Sequence, residues 1–260
     1  MVKRSSVAHV EELLSKARGA ALDALLAEWT DDDRSGVQAA CASARAARDR
    51  QRKEKSRTTK MYQVERDLHA GGCQVVAGVD EVGRGALAGP LTVAAVVLPT
   101  SPRIEGLDDS KRLTPGRREE LAVIVRATAI CVGVAHVSPA EIDALGMTAA
   151  LRRAIGLALA QLPTPPDHVV LDGLRLGINP NETAIVKADG KVAAVAAASI
   201  VAKVTRDSLM RSLALEHPDY GFEINKGYGT SDHLAAIARH GPCPIHRRSF
   251  SWGANTESLF

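Results

Sequence analysis

Val75-Val76-Ala77-Gly78-Val79-Asp80-Glu81-Val82-Gly83-Arg84-Gly85-Ala86-Leu87-Ala88-Gly89-Pro90 is the stretch on which the fold turns. Its apolar start, Val75 to Asp80, reads as a strand, and the breaks at Gly83-Arg84-Gly85 and Gly89-Pro90 precede a second strand from Leu91 to Leu98. Together they predict a hairpin entering a sheet. Two adjacent acids, Asp80 and Glu81, close the first strand, where a charge is costly to bury without a compensating partner. A metal ion is such a partner. Strand neighbours point to opposite faces, so both acids can serve one site only if the strand is bulged or ends there, which the glycines at 83 and 85 allow. Taken alone, the pair leaves a second reading open, with Asp80 capping a turn and Glu81 solvated.

Further along, Thr114-Pro115 followed by Glu119 and Glu120 starts a helix that runs to about Ala129. A β-branched run, Ala129 to Val137, follows; Ser138-Pro139 opens another helix; Met147 to Leu162 keeps helical spacing up to the Pro163-Thr164-Pro165-Pro166 break. Short strands are predicted over His168 to Leu171 and Thr183 to Lys187, a long helix over Val192 to about Leu215, and a last one over Ser231 to Arg239, ended by Gly241-Pro242. Strands first, then alternating helices and strands, describe an α/β domain.

The first third has another texture. Val10-Leu13-Leu14-Ala17 and Leu22-Leu25-Leu26-Trp29 recur at helical spacing, and Asp31-Asp32-Asp33 and Gly36 punctuate them. Arg45, Arg48, Arg50, Arg52, Lys53, Lys55 and Arg57 then form a basic stretch, which reads first as a solvated helix or linker and second as a duplex-binding arm. A short helix from Met61 to Ala70 ends at Gly71-Gly72. The 260 residues therefore divide into a helical, basic extension over 1–72 and a main domain over 73–260.

Composition narrows the function classes. A net charge of +3 permits a nucleic-acid partner without demanding one, and with aromatics at 3% base stacking cannot be the main mode of binding. Cys41, Cys73, Cys131 and Cys243 lie far apart with no CxxC pair, so neither a zinc site nor a disulfide framework is expected, and reduced thiols in a cytoplasmic protein are. Glu11 and Glu12 follow the basic start where a signal peptide needs an apolar run. The most apolar run, Val192 to Ala202, is far short of the roughly 20 residues that span a bilayer, so no membrane contact is expected.

Asp172 repeats the arrangement at Asp80, with Val169-Val170-Leu171 delivering a carboxylate into Gly173. Strand ends are where sites form in α/β sheets. Asp189 follows a strand and precedes an Ala- and Val-rich helix, so by itself its plainer reading is a helix-start acid. Acids at strand ends without a His or Cys cluster favour hard cations, Mg²⁺ or Mn²⁺, over zinc. The chemistry implied is phosphoryl transfer by two metal ions about 3.5–4 Å apart. Lys111, Lys203 and Arg206 read as phosphate-facing cations, with Lys203 and Arg206 one turn apart on a helix, solvated charges being the alternative. Tyr228 between glycines reads by default as a core-edge residue and otherwise as a stacking one. His246, beside Arg247 and Arg248, reads as structural and stays outside the catalytic set.

The run Val79 to Pro90 resembles the signature of type 2 ribonuclease H (ribonuclease HII). The resemblance continues through Asp109-Ser110-Lys111, Leu171-Asp172-Gly173, Lys187-Ala188-Asp189, Ala197 to Asp207, Asn225-Lys226-Gly227-Tyr228-Gly229-Thr230 and His246 to Phe250, covering essentially residues 75 to 250 in the family's order. It implies a ribonuclease H-like fold, a central mixed sheet flanked by helices, with a helical C-terminal part and the short helical N-terminal extension of some bacterial members. It also assigns Asp80, Glu81, Asp172 and Asp189 as metal-binding catalytic carboxylates.

By the same resemblance Gly83-Arg84-Gly85 senses the 2′-hydroxyl of the scissile ribonucleotide, which suits glycine's close backbone approach, and Tyr228 packs on the sugar of the following deoxynucleotide. The implied substrates are RNA/DNA hybrids and DNA with embedded ribonucleotides. The implied reaction is hydrolysis with two Mn²⁺ or Mg²⁺ ions, leaving 5′-phosphate and 3′-hydroxyl ends, in removal of misincorporated ribonucleotides and RNA primers. A monomer is expected. One departure stands out: Ala188 occupies a position where the family commonly has glycine, which puts the placement of Asp189 in question. Two rivals are a relative preferring long hybrid stretches and a hybrid-binding module with vestigial acids.

Overall fold

The computed structural model describes residues 5–252. Five strands, β1 (Val76–Val82), β2 (Leu91–Val97), β3 (Cys131–Val137), β4 (His168–Asp172) and β5 (Glu182–Ile185), form one sheet in the order β3-β2-β1-β4-β5. The predicted hairpin is the antiparallel β1–β2 pair; β2–β3 is antiparallel too, whereas β1–β4 and β4–β5 are parallel. This is the α/β domain of the sequence pattern, with the mixed sheet flanked by helices that the resemblance implies.

Alternation along β1 and β2 assigns the two faces. Ala77 and Val79 with Leu91, Val93, Ala95 and Val97 pack with Ile142 of α6 (Pro139–Leu145) and with Ala150, Leu151, Ala154 and Ile155 of α7 (Met147–Leu159). Ala94 and Val96 face Leu121 and Val125 of α5 (Pro115–Thr128) and the alanine-rich start of α8 (Ala193–Glu216). Small residues let α8 lie close to the sheet. At Gly78 of β1, a Cβ would stand 2.3 Å from the Ala194 carbonyl carbon, so no larger residue fits there.

Helix α8 has no side-chain cap of its own. Its exposed amide donors are met instead by α4 (Gln63–Ala70): the Ala194 N–H donates to Glu65 Oε1 at 2.8 Å, and Glu65 is only 5% exposed. A carboxylate at a helix N-terminus satisfies free N–H groups and complements the macrodipole. Burial raises the Glu65 pKa, while the Ala194 N–H opposes the shift.

Contacts divide the chain into two compact units that part between Arg57 and Thr58. In the first, α1 (Val7–Lys16), α2 (Gly19–Glu28) and the start of α3 (Ser35–Met61) enclose a small core of Val10, Leu14, Leu22, Leu26, Trp29, Val37 and Cys41. The basic stretch is helix rather than linker, and Arg45, Arg50, Arg52 and Lys53 on it are exposed. Among the described residues no helix is long and apolar enough to cross a membrane.

Glu65→Ala is expected to lower unfolding free energy by about 1–2 kcal/mol, the usual cost of a lost N-terminal cap, with Glu65→Gln, which keeps an acceptor oxygen, losing less. Urea unfolding checks this; equal midpoints for wild type and Glu65→Ala would remove Glu65 from the support of α8.

Candidate active site

The parallel register of β1 and β4 pairs Gly78 with Val170 and Val79 with Leu171, so the next positions, Asp80 and Asp172, end neighbouring strands side by side. Both fall on the face covered by α8. Strands in a sheet lie about 4.8 Å apart, so two carboxylates meet here in a largely buried place. Asp80 is 8% exposed.

Of the two routes the sequence left open for Glu81, a bulge or a strand end, the structure takes the strand end. Pairing with β2 stays regular from Gly78↔Val96 through Val82↔Thr92. The site lies beyond the end of the β1–β4 pairing, so residues from both faces of β1 reach it. The Glu81 N–H also donates to Asp80 Oδ1 at 2.9 Å, which turns the Asp80 carboxylate toward its neighbour.

Asp189 comes from the short 3₁₀ turn Ala188–Gly190 just before α8, entered through Lys187 in a left-handed conformation, φ 58°. Ala188 is accommodated, and Asp189 lines the same cavity as Asp80 and Asp172. The Ala188 methyl group is fully buried among Val76, Val170, Val192 and Val195, and its N–H donates to Asp172 Oδ1 at 2.7 Å.

Every predicted site residue except Arg206 lines one cavity of about 430 Å³: Asp80, Glu81, Asp172 and Asp189, Gly83-Arg84-Gly85, Lys111, Lys203 and Tyr228. Ser110 and Ser199 also line it, and they carry a role that sequence reading missed. The Ser199 and Ser110 hydroxyls lie 2.8 Å apart, and the Ser199 O–H, by donating to the Asp80 carboxylate, lowers its pKa while it accepts from Ser110. A lone hydroxyl residue in the apolar run Val192 to Ala202 was the available signal.

The acids burden one another. Burial first, then the Glu81 and Asp172 charges, push the Asp80 pKa up to about 8. Glu81 is raised by burial with Asp172 adding, while Arg84, 3.6 Å away, pulls it down. Burial, Asp109 and Asp172 raise Asp189, and Lys111 opposes them. Oxygen donors crowded in this way, with no His or Cys lining the cavity, suit a hard divalent cation, whose charge relieves the strain. Among the described residues no group of three or more His, Cys, Asp and Glu side chains is arranged to hold an ion by itself.

Arg206 departs from expectation. It is fully buried, and its guanidinium donates to the carbonyls of Pro90 (2.8 Å), Lys226 (2.8 Å) and Ala88 (3.1 Å), leaving it no reach toward a phosphate. Lys203 and Arg206 are one turn apart, but the helix turns Lys203 to the cavity and Arg206 inward. Lys203 is held by Asp207 at 2.8 Å. Arg247, also fully buried, donates to the carbonyls of Gly89 (2.9 and 3.1 Å) and Arg84 (3.0 Å). Two guanidiniums thus gather the carbonyls of the 84–90 loop. Gly83, at φ +87°, packs on Arg206, where a Cβ would stand 2.2 Å from Nε.

Comparison with known proteins gives one answer. The profile described as Ribonuclease HII matches residues 77–252, and that described as Ribonuclease HII N-terminal domain matches residues 6–69. The chain is similar to the Ribonuclease HII of Geobacillus kaustophilus, 41% identical over 250 residues (96% of this chain, 95% of the relative). That of Enterococcus faecalis is 38% identical over 251 residues, covering 96% and 98%. Among solved structures, the ribonuclease H2 of Pyrococcus horikoshii superposes with a TM-score of 0.58 at 30% identity, covering 69% of this chain and 95% of that one. The Archaeoglobus fulgidus RNase HII in its PCNA complex gives 0.58 at 29%, covering 72% and 100%.

Arg206→Lys is expected to destabilise the protein by about 2–3 kcal/mol, because an ammonium cannot reproduce the planar fork that satisfies three buried carbonyls. Chemical unfolding measures it, and a variant as stable as wild type would show that other donors serve these carbonyls.

Proposed function

The chain belongs to the ribonuclease HII family, and from that premise we propose a division of labour within its cavity. Members are endonucleases that hydrolyse the RNA strand of RNA/DNA hybrids, and the family depends on divalent metal. The observation that carries the reading is the side-by-side ending of β1 and β4 in Asp80 and Asp172, with Glu81 and Asp189 lining the same cavity.

Asp80, Glu81, Asp172 and Asp189 would hold the cations, Mg²⁺ or Mn²⁺. When bound, such ions supply activation of water and neutralisation of charge on the phosphoryl oxygens. Ser199 and the Glu81 N–H fix the Asp80 carboxylate, and the Ala188 N–H fixes that of Asp172, so these oxygens are positioned before substrate arrives. Lys111 and Lys203 line the cavity as phosphate contacts, where a backbone rather than a base is grasped.

Ribonucleotide selection belongs to the Gly83-Arg84-Gly85 backbone, which can approach a 2′-hydroxyl, and to the Tyr228 ring, which offers a flat surface to the next sugar. The substrates include single ribonucleotides embedded in duplex DNA, and the products carry 5′-phosphate and 3′-hydroxyl ends. Residues 73–260 carry catalysis, and the helical extension over 1–72 is accessory. Four free thiols suit a reducing, cytoplasmic setting, in which removal of embedded ribonucleotides and primers is the role.

Asp172→Asn keeps an oxygen for the Ala188 N–H but removes one carboxylate charge. Turnover on a duplex with one embedded ribonucleotide, in Mn²⁺ or Mg²⁺, should fall by at least about 10²-fold while the unfolding transition is retained. An unchanged rate would take Asp172 out of the site, and absence of any metal-dependent cut by the wild type at the ribonucleotide would overturn the reading.

A further inference from the structure

Two buried histidines outside the cavity form a directed chain to one of its walls. His233, on α10 (Ser231–His240), is 0% exposed and His246 2%, and Tyr220, Phe222 and Trp252 surround them with ring centroids 5.0–5.8 Å away. At one end the Cys243 N–H, which can only donate, meets His246 Nδ1 at 2.9 Å. At the other end the Tyr228 carbonyl, which can only accept, meets His233 Nδ1 at 2.9 Å. Between them the two Nε2 atoms stand 3.1 Å apart.

These ends determine every proton. His246 Nδ1 accepts, so its Nε2 carries the hydrogen and donates to His233 Nε2; His233 Nδ1 carries the other and donates to Tyr228. Both rings are neutral, in opposite tautomers. The Sγ and carbonyl of Cys243 also approach His246 Nδ1, at 3.1 and 3.3 Å, but the Cys243 N–H at 2.9 Å is the shortest contact and its hydrogen points at Nδ1, which leaves no room for a second hydrogen there. Burial lowers the pKa of both rings, with which their neutrality agrees.

Tyr228 needs such an anchor. Lys203 and Arg206 stand over its ring, 5.8 and 5.4 Å from the centroid, but glycines flank it in the chain, so where the ring starts from is set by its own backbone, which is tied by its N–H to the Asn225 carbonyl (3.0 Å) and by its carbonyl to the Thr230 N–H (2.8 Å) and His233. From these contacts we infer that His233 and His246 are positioning residues that set the Tyr228 ring and thereby govern the preference for a single embedded ribonucleotide over a continuous hybrid. The inference rests on the reading of Tyr228 given above.

The test compares kcat/KM on a duplex with one embedded ribonucleotide and on a continuous hybrid, for wild type, Tyr228→Ala, His233→Ala, His233→Asn and the Tyr228→Ala/His233→Ala double variant. His233→Ala should lower the ratio of the two roughly three- to tenfold, as loss of a buried hydrogen bond would. His233→Asn, whose amide N–H stands near the place of Nδ1, should restore most of it. In the Tyr228→Ala background the His233 change should add nothing to the ratio. A fold defect alone would lower both rates together and leave the ratio unmoved.

Additive effects on the ratio, or a His233→Ala ratio equal to wild type while Tyr228→Ala shifts it, would overturn the inference and spare the reading of Tyr228. No shift from Tyr228→Ala itself would overturn both. In unsubstituted protein, ¹⁵N spectra of the histidines should show one ring protonated at Nδ1 and its partner at Nε2, and any other assignment for the pair would also overturn the inference.

Discussion

The site depends on one register. Because β1 and β4 run parallel with Val79 opposite Leu171, the residue that ends each apolar run is an aspartate, and the two are neighbours on one face. A slip by one residue would send one carboxylate to the opposite face of the sheet. The register is protected by burial on both sides: Val79, Val169 and Leu171 lie in the core over α7, while Gly78 admits α8 and Val170 packs with Val195. Packing that looks merely structural thus fixes where two negative charges meet.

Around that pair the fold uses backbone dipoles where a side-chain partner would be expected. Arg206 and Arg247 are fully buried with carbonyl oxygens as their acceptors, Ala88, Gly89, Pro90 and Lys226 among them. A carboxylate partner would neutralise the charge. Carbonyls stabilise it yet leave it in place, which keeps the 84–90 loop on a positive footing while both arginines have their pKa lowered by burial. The 84–90 loop is held by its own peptide groups, so its shape does not depend on the side chains it presents.

Strand ends were legible in the sequence because an apolar run terminating in Asp is a conflict that a site can resolve. Hence Asp80 and Asp172 stood out from local chemistry, and Asp189 needed the family resemblance. Arg206 shows where local reading fails. Its spacing from Lys203 reveals a shared helix face but not that α8 buries it against the 84–90 loop, more than a hundred residues earlier in the chain. Glu65 and Ser199 were hidden for the same reason, since a cap on Ala194 and a hydrogen bond to Asp80 are made across the fold. The basic stretch left helix and linker both open, because α3 has no apolar stripe beyond its first turns, and Ala, Arg and Lys favour helix without one.

Charge balance explains why substrate and cation belong together here. Four acids line the cavity against Arg84, Lys111 and Lys203, and Lys203 is already engaged by Asp207. A phosphate entering alone would meet net negative charge at close range, and the raised pKa values of Asp80, Glu81 and Asp189 show how poorly the site tolerates its own anions. A divalent cation held by these carboxylates would cancel the repulsion between them and a phosphate. The hydrogen bonds of the fold set the positions of these carboxylates, so the charge a cation brings is what would let the same cavity take a phosphate.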